Sequence, residues 1–217
     1  MQYTLAKATD DAAAFASAAL SGAAVAQDWR DLDAEYARSN FDQRHLLVVQ
    51  VQYTTGAGVT GGTLVDGLKG RLFKDWTLVA QITTGSGLPL TPTFLIPSRG
   101  TGVTGAVRAS LTGAPVDPVD AGSYANPQAY APPALGEWGT AGRNSVTGPA
   151  QHVVNAGVGR TFRMGNRLNL DWRFDATNVL NQVTFSSVNM LVGSPQFGLP
   201  NRANQMRRLQ SSARLRF

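Results

Sequence analysis

Several segments of the chain alternate apolar and polar residues with a period of two. This is the pattern of a β-strand whose two faces meet different environments. The strictest segment runs from Leu168 to Ala176. Other alternating segments span Gln2 to Leu5, Asp42 to Thr54, Leu72 to Thr84, Gln151 to Phe162 and Arg208 to Phe217. The pattern predicts an all-β fold of about six antiparallel up-and-down strands.

One face of these strands is apolar and carries many of the aromatic residues. If the last strand runs down to Phe217, antiparallel order also brings Tyr3, Tyr53, Trp76 and Phe162 to that rim. Amphipathic rings gathered at one level are typical of the aromatic belt of a membrane barrel. The predicted lipid-facing and belt residues are Tyr3, Tyr53, Trp76, Phe162, Leu170, Trp172, Phe174 and Phe217.

The opposite face is polar, and its charged residues lie within the strands. Asp171, Arg173 and Asp175 follow one another on this face with no neutral residue between them. A water-filled lumen would solvate such charges. The predicted lumen-facing residues are Gln50, Gln52, Gln81, Asn155, Asn169, Asp171, Arg173, Asp175, Arg208, Arg214 and Arg216.

Alternation alone leaves two architectures open. The apolar face could meet lipid in a transmembrane outer-membrane barrel, or it could pack against a second sheet in a soluble sandwich. The alternative function is therefore a soluble or secreted all-β binding module. Its recognition surface would be the Pro-rich and Gly-rich loop between Gly85 and Ala150.

The segments between the strands differ in length. The long ones, all on the upper side, are Asp10 to Phe41, Gly85 to Ala150 and Asn178 to Asn204. The lower side has a tight turn at Met164, Gly165 and Asn166 and a longer Gly-rich link from Gly56 to Gly70. Bacterial barrels combine short periplasmic turns with long extracellular loops, and only the Gly56 to Gly70 link fits this poorly. The longest loop is expected to be irregular.

Composition removes several classes of protein. The 217 residues include no cysteine, which excludes disulfides, thiolate catalysis and Cys-ligated zinc. No apolar run reaches the roughly 18 residues that a transmembrane helix needs. The net charge of +5 comes from scattered basic residues, not from a stripe on one helix, so nucleic acid is not an expected partner.

An Ala-rich stretch from Ala12 to Gln27 imitates the end of a signal peptide. A secretory signal begins with basic residues, whereas Asp10 and Asp11 stand directly before this stretch. We interpret it as a loop of small residues.

Few residues could carry chemistry. His45 and His152 are the only histidines, and neither lies in a ligand-spaced cluster. Asp31, Asp33 and Glu35 have a spacing like that of calcium loops but lack the required Gly and distal Glu. We expect no metal site and no cofactor.

Two further patterns resemble catalytic motifs only in part. Ser86 lies between two glycines after a strand, but without the wider nucleophile motif, so a turn is its expected role. Asp171 and Asp175 lie about 13 Å apart on one strand face, too far for joint acid–base work. We expect no catalytic residue and no enzyme activity.

Several short stretches together resemble the C-terminal barrel region of TonB-dependent receptors, in particular the Oar-like group with a carboxypeptidase-regulatory-like domain. Their order and spacing match this family across nearly the whole chain. The stretches are Ala26 to Asp28, Arg38 to His45, Trp76 to Pro92, Gly142 to Ser145, Gly148-Pro149, Phe174 with Asn178 to Asn181, and the terminal Phe217.

The resemblance implies an outer-membrane protein of a Gram-negative-type bacterium, involved in uptake or export of large solutes. It implies that Leu215 and Phe217 belong to the signal read by the barrel-assembly machinery. Residues 1–217 would form a C-terminal segment of the barrel, which in this family has about 22 strands. The plug and N-terminal domains are absent from it, so the TonB system would act only through other segments.

Overall fold

The main element of the structure, a computed structural model that describes residues 1–11, 26–56, 67–95, 106–164 and 168–217, is a six-stranded antiparallel sheet. Its strands are β1 (Gln2–Leu5), β2 (His45–Thr54), β3 (Trp76–Gly85), β4 (Gln151–Met164), β5 (Leu168–Thr177) and β6 (Arg208–Arg216). Each strand pairs with the next one along the chain. The predicted all-β, up-and-down architecture is confirmed.

The register of the sheet places apolar residues opposite apolar residues on one face. One row of Cα partners crosses five strands through Val51, Ala80, Ala156, Ala176 and Leu209. Because side chains alternate along a strand, one such row fixes the face of every other position. The apolar sides read from each strand separately therefore coincide.

The lower link between β2 and β3 contains a helix that alternation did not predict. Helix α1 (Gly67–Phe73) precedes β3, so this strand begins at Trp76 and not at Leu72. The chain enters and leaves the link through left-handed residues, Gly56 with φ of 74° and Asp75 with φ of 66°. A backbone hydrogen bond of 2.8 Å from Thr55 N to Trp76 O continues the ladder up to this point.

The position expected for Tyr3 is wrong. In β1, Tyr3 pairs with Leu47 near the upper end of β2, not with the lower end near Tyr53. The Tyr3 hydroxyl lies 2.8 Å from Nδ1 of His45, the first residue of β2. The four-residue β1 reaches only the upper part of β2. Tyr3 is thus on the expected face but at the opposite rim.

Two interpretations concern residues outside the described ranges. The tight turn at Gly165 and Asn166 lies outside them, although Met164 pairs with Leu168, which makes β4 and β5 a hairpin. Most of the Ala-rich stretch, residues 12–25, lies outside them as well.

The upper connections fold together into a unit that we name the loop cap, comprising residues 26–44, 86–95, 106–150 and 178–207. It contains 3-10 turns at Asp33–Glu35 and Pro127–Ala129. Its short ladders pair Pro89–Leu90 with Val146–Thr147, Thr93–Phe94 with Val107–Arg108, Ser110–Leu111 with Tyr130–Ala131, and Phe185–Val188 with Pro200–Ala203. A further ladder pairs Thr9–Asp10 with Ala37–Arg38. Most of the described residues of the longest loop are irregular, as expected, and two-residue ladders hold its parts together.

The hydrophobic core of the described residues lies in the loop cap. Ala109, Ala125 and Ala129 are completely buried, and Tyr130 packs on Phe197 with ring centroids 5.4 Å apart. The other buried members are Ala141, Val146, Val188, Met190, Val192. Segments far apart in sequence therefore share one core above the sheet.

Candidate functional site

The apolar face of the sheet is exposed. Val51 is 54% exposed and Leu209 is 57% exposed. Among the described residues, the remaining sheets are two-stranded. A soluble sandwich would cover these side chains with a second layer. The structure does not support that alternative, and a continuous apolar surface of this kind marks a site of contact with a partner or a membrane.

Aromatic side chains form a connected group on this face. The rings of Trp76 and Trp172 meet edge to face with centroids 6.1 Å apart, and Trp172 lies 6.5 Å from Phe174. The indole of Trp172 donates a 3.0 Å hydrogen bond to the Ser211 hydroxyl. Rings with an apolar body and a bonded polar tip are suited to a boundary between water and hydrocarbon.

Arg160 is a charged residue within the apolar face. Its guanidinium carbon lies 5.3 Å from the ring centroid of Trp76 and 5.0 Å from that of Phe162. Its Nη1 also donates a 2.9 Å hydrogen bond to the Leu72 carbonyl of α1. Aromatic faces attract a cation, so this charge is accommodated locally.

The opposite face collects the residues predicted to be polar. Gln50 pairs with Gln81, which pairs with Asn155. By register the same face carries Gln52, Asn169, Asp171, Arg173, Asp175, Arg208, Arg214 and Arg216. Asparagine, glutamine and charged groups along five strands make this a hydrophilic wall.

The carboxylates of the polar face are paired with arginines. Arg216 Nε lies 2.7 Å from an Asp171 oxygen, and Arg173 Nε lies 2.8 Å from an Asp175 oxygen. Asp171 also accepts a 2.6 Å hydrogen bond from the Thr161 hydroxyl. Exposed pairs of this kind add little stability. We therefore interpret their role as making this face of the sheet hydrophilic.

Both edges of the sheet are open within the described ranges. The strand order ends at β1 on one side and β6 on the other. All nine residues of β6 are exposed, and Phe217 beyond it is fully exposed. An open edge presents unpaired backbone groups that another strand can complete.

A buried ion pair holds the loop cap together. Arg108 Nη1 lies 2.8 Å from Glu35 Oε2, and both side chains are largely buried. The other Glu35 oxygen accepts a 2.8 Å hydrogen bond from Gln27 N, and the Gln27 side-chain oxygen accepts one of 3.0 Å from Arg108 N. The sequence analysis noted Glu35 only for its calcium-loop spacing and did not identify Arg108. Glu35 is therefore a buried structural anion, not a calcium ligand.

Arg143 forms a second anchor. It is buried, it donates a 2.9 Å hydrogen bond from Nε to the Glu35 carbonyl, and its Nη2 bonds to Asp10. A hydrogen bond from the Ser39 hydroxyl, together with the charge of Arg143, holds the pKa of Asp10 below its ordinary value. The ionised carboxylate of Asp10 is therefore favoured in the folded protein.

The motif segments noted in the sequence meet at these anchors. The Arg38 guanidinium donates a 2.8 Å hydrogen bond to the backbone carbonyl of Asn144. The side-chain amide of Asn144 donates a 2.6 Å hydrogen bond to the backbone carbonyl of Arg38. The Thr91 hydroxyl donates to the Asn144 side chain at 3.0 Å and Gln43 donates to the Ser86 carbonyl at 3.0 Å. The motifs indicated these residues, but only the structure gives their role.

The remaining chemical candidates have structural contacts. The Ser86 hydroxyl accepts a 3.1 Å hydrogen bond from His45 N, and His152 pairs with Thr84 in the sheet. Within the described ranges, no group of three or more His, Asp or Glu residues is placed to hold a metal ion. None of the helices there combines the length and the apolar character needed to cross a bilayer.

Comparison with known proteins gives one match. The family model described as "outer membrane beta barrel domain" matches residues 1–210. Searches among curated proteins and among solved structures each found no match. The family match covers nearly all of the chain and agrees with a sheet that is apolar on one exposed face and polar on the other. The chain therefore belongs to the outer membrane beta barrel domain family and is located in the outer membrane.

Proposed function

We propose that this chain is a segment of the barrel wall of a TonB-dependent receptor or transporter of the Oar-like type. In this role it contributes to the uptake or export of large solutes across the outer membrane. The observation that carries the proposal is a two-faced sheet, open at both edges, beneath a cap whose anchors are built from the motif segments.

The two faces take different partners in this proposal. Leu170, Trp172 and Phe174 face lipid, and Gln81, Asp171 and Arg214 face a wet lumen. The exposure of Val51 and Leu209 supports the first assignment, because such side chains are stable only against an apolar medium. The Asp171–Arg216 pair supports the second, since it requires water or polar groups around it.

The open edges are the basis for the proposed protein partners. The smallest membrane barrels have about eight strands, so a wall of six strands needs further strands to close. We assign these to other barrel segments of a longer receptor. A plug domain and the segment that contacts TonB would come from the same source.

Assembly is assigned to β6. Its alternating residues end at Leu215 and Phe217, both exposed at the lower end of the open edge. This is where the barrel-assembly machinery would pair with the strand. The chain itself has no proposed catalytic residue, cofactor or nucleic-acid partner.

A cross-linking experiment tests the proposal. Because the chain has no cysteine, Ser212→Cys in β6 gives a unique thiol on the open edge. Outer membranes are isolated, treated with a short thiol-reactive photocross-linker and extracted with detergent. We expect an adduct that contains barrel strands and a plug domain, and no such adduct from Gln196→Cys in the loop cap.

The outcomes separate the parts of the proposal. An adduct with a barrel segment that has no plug would refute the TonB-dependent assignment. Folded monomer recovered from a detergent-free soluble fraction would refute the membrane wall itself.

A further inference from the structure

The apolar side chains of α1 are unusually exposed. Leu68 is 78% exposed, Leu72 63% and Phe73 64%. A seven-residue helix with these side chains in water is not stabilised by its own propensity or by burial. Exposed leucine and phenylalanine on a short basic helix are typical of segments that lie in a membrane interface.

The end of α1 is fixed to the apolar face of the sheet. The Leu72 carbonyl accepts a 2.9 Å hydrogen bond from the Trp76 indole and another of 2.9 Å from Arg160. The Thr55 hydroxyl donates to the Phe73 carbonyl. Trp76 belongs to the aromatic group on this face, and Arg160 packs on the Trp76 ring. Helix α1 therefore lies at the level of that group.

Basic residues surround a recess beside α1. A cavity of about 750 Å³ has Lys74, Asp75, Arg160 and Phe162 in its lining. Lys69 of α1 precedes Lys74 in the chain and is exposed. Among the described lining residues, the cations Lys74, Arg160 and Arg163 against the carboxylate of Asp75 give the recess a positive balance. Arginine in particular binds phosphate through its planar fork of donors.

We infer that α1 and this recess form a docking site for the phosphate headgroup of an anionic phospholipid in the periplasmic leaflet. The inference rests on the proposed function, which places the apolar face in lipid, and on the long upper loops, which place the lower end of the sheet in the periplasm. Leu68 and Phe73 enter the interface, and Arg160 and Lys74 contact the phosphate. The long lower link, which fits the usual short periplasmic turns poorly, thereby has a role.

The test uses the full chain in a zwitterionic detergent with Trp76 as its single tryptophan. Trp29, Trp138 and Trp172 are replaced by phenylalanine, and Trp76 fluorescence is followed during lipid titration. The probes are dihexanoylphosphatidylglycerol, dihexanoylphosphatidylcholine and inorganic phosphate. The variants are R160Q and the double variant K69Q/K74Q, and R202Q in the loop cap is the control with a matched loss of charge.

We expect phosphatidylglycerol to bind about fivefold more tightly than phosphatidylcholine, which is the effect of one cation near a lipid surface. R160Q and K69Q/K74Q should each remove this preference, and R202Q should keep it. If R160Q does not fold by circular dichroism, K69Q/K74Q decides the result.

Other results overturn the inference. Equal affinity for the two lipids would mean that the headgroup charge is not recognised. Displacement of phosphatidylglycerol by an equal concentration of inorganic phosphate would indicate a site for free phosphate and not for lipid. Either result leaves the cross-link from β6 to a plug-bearing receptor unaffected, so failure here is distinct from failure of the proposed function.

Discussion

Apolar side chains are buried in the loop cap but exposed on the sheet. In the loop cap, small residues such as Ala109 and Ala129 are buried completely, and Phe197 packs on Tyr130. In the sheet, larger residues such as Leu209 and Val51 are exposed on an open face. The cap thus has the core of a water-soluble domain, and the sheet has the surface of a membrane wall.

Charges follow the same division. The Glu35–Arg108 pair is largely buried in the loop cap, whereas the Asp171–Arg216 pair of the sheet is partly exposed. A buried charge needs its partner, while an exposed one is stabilised by solvent. The two regions should therefore respond differently to matched substitutions, and the following predictions sharpen that contrast.

The largest effect is expected from the core of the loop cap. Phe197→Ala should lower the free energy of unfolding of the cap by about 3 to 5 kcal/mol, because it removes a buried ring and leaves a cavity. The matched variant Leu209→Ala leaves no cavity and should lose only the transfer part, about 1 to 2 kcal/mol. Amide hydrogen exchange measures both losses. The amide of Val192, which donates a hydrogen bond to the Thr93 carbonyl, reports on the cap. Equal losses in the two variants would contradict the contrast.

The buried ion pair should give an effect of similar or slightly smaller size. Glu35→Gln leaves the Arg108 charge without its counterion, at a cost of about 3 to 5 kcal/mol. The double variant Glu35→Leu with Arg108→Met should be more stable than Glu35→Gln, because it removes both charges. Urea unfolding followed by hydrogen exchange in the cap tests the order, and a less stable double variant would contradict it.

The strands and their faces could be predicted from the sequence because alternation is a local signal. A one-residue slip of β5 would move Trp172 and Phe174 to the polar face, so the pattern itself specifies which side each residue takes. Tyr3 shows the limit of this argument. A shift by an even number of residues preserves the faces, so the vertical position of the short β1 could not be read from the pattern.

The loop cap and α1 could not be predicted for different physical reasons. The buried Ala109, Ala125 and Ala129 have the composition of an ordinary loop, and only contacts between distant segments bury them. Glu35 and Arg108 are 73 positions apart, so no local pattern in the sequence predicts that they form an ion pair. Helix α1 begins at Gly67 and contains Gly70, which are poor helix formers.

The next prediction concerns depth within the sheet. Leu170, one of the predicted lipid-facing residues, lies near the start of β5 and borders the recess beside α1. Val158 pairs with both Leu78 and Phe174 nearer the middle. We expect Val158→Arg to cost about 2 to 4 kcal/mol in a membrane refolding assay and Leu170→Arg about 0 to 1 kcal/mol.

The control for depth is Gln81→Arg on the polar face, which should be near neutral. Equal costs at Val158 and Gln81 would show that the two faces do not differ in their surroundings. That result would contradict the assignment of lipid to one face and water to the other.

The smallest effect is expected from acidification, at the contact between Asp10 and the loop cap. The pKa of Asp10 is lowered in the folded protein, so its carboxylate adds stability above the unfolded pKa, and this stability is lost as the pH falls through the folded pKa. We expect exchange at Ser39 N, which bonds to the Ala8 carbonyl at 3.0 Å, to accelerate below about pH 4 relative to the sheet amides. Asp10→Asn should remove this dependence, whereas Asp120→Asn, at an exposed position of the cap, should keep it. Acceleration that is unchanged in Asp10→Asn would mean that another carboxylate carries the effect, and the Arg143 anchor would then not be what ties the start of the chain to the cap.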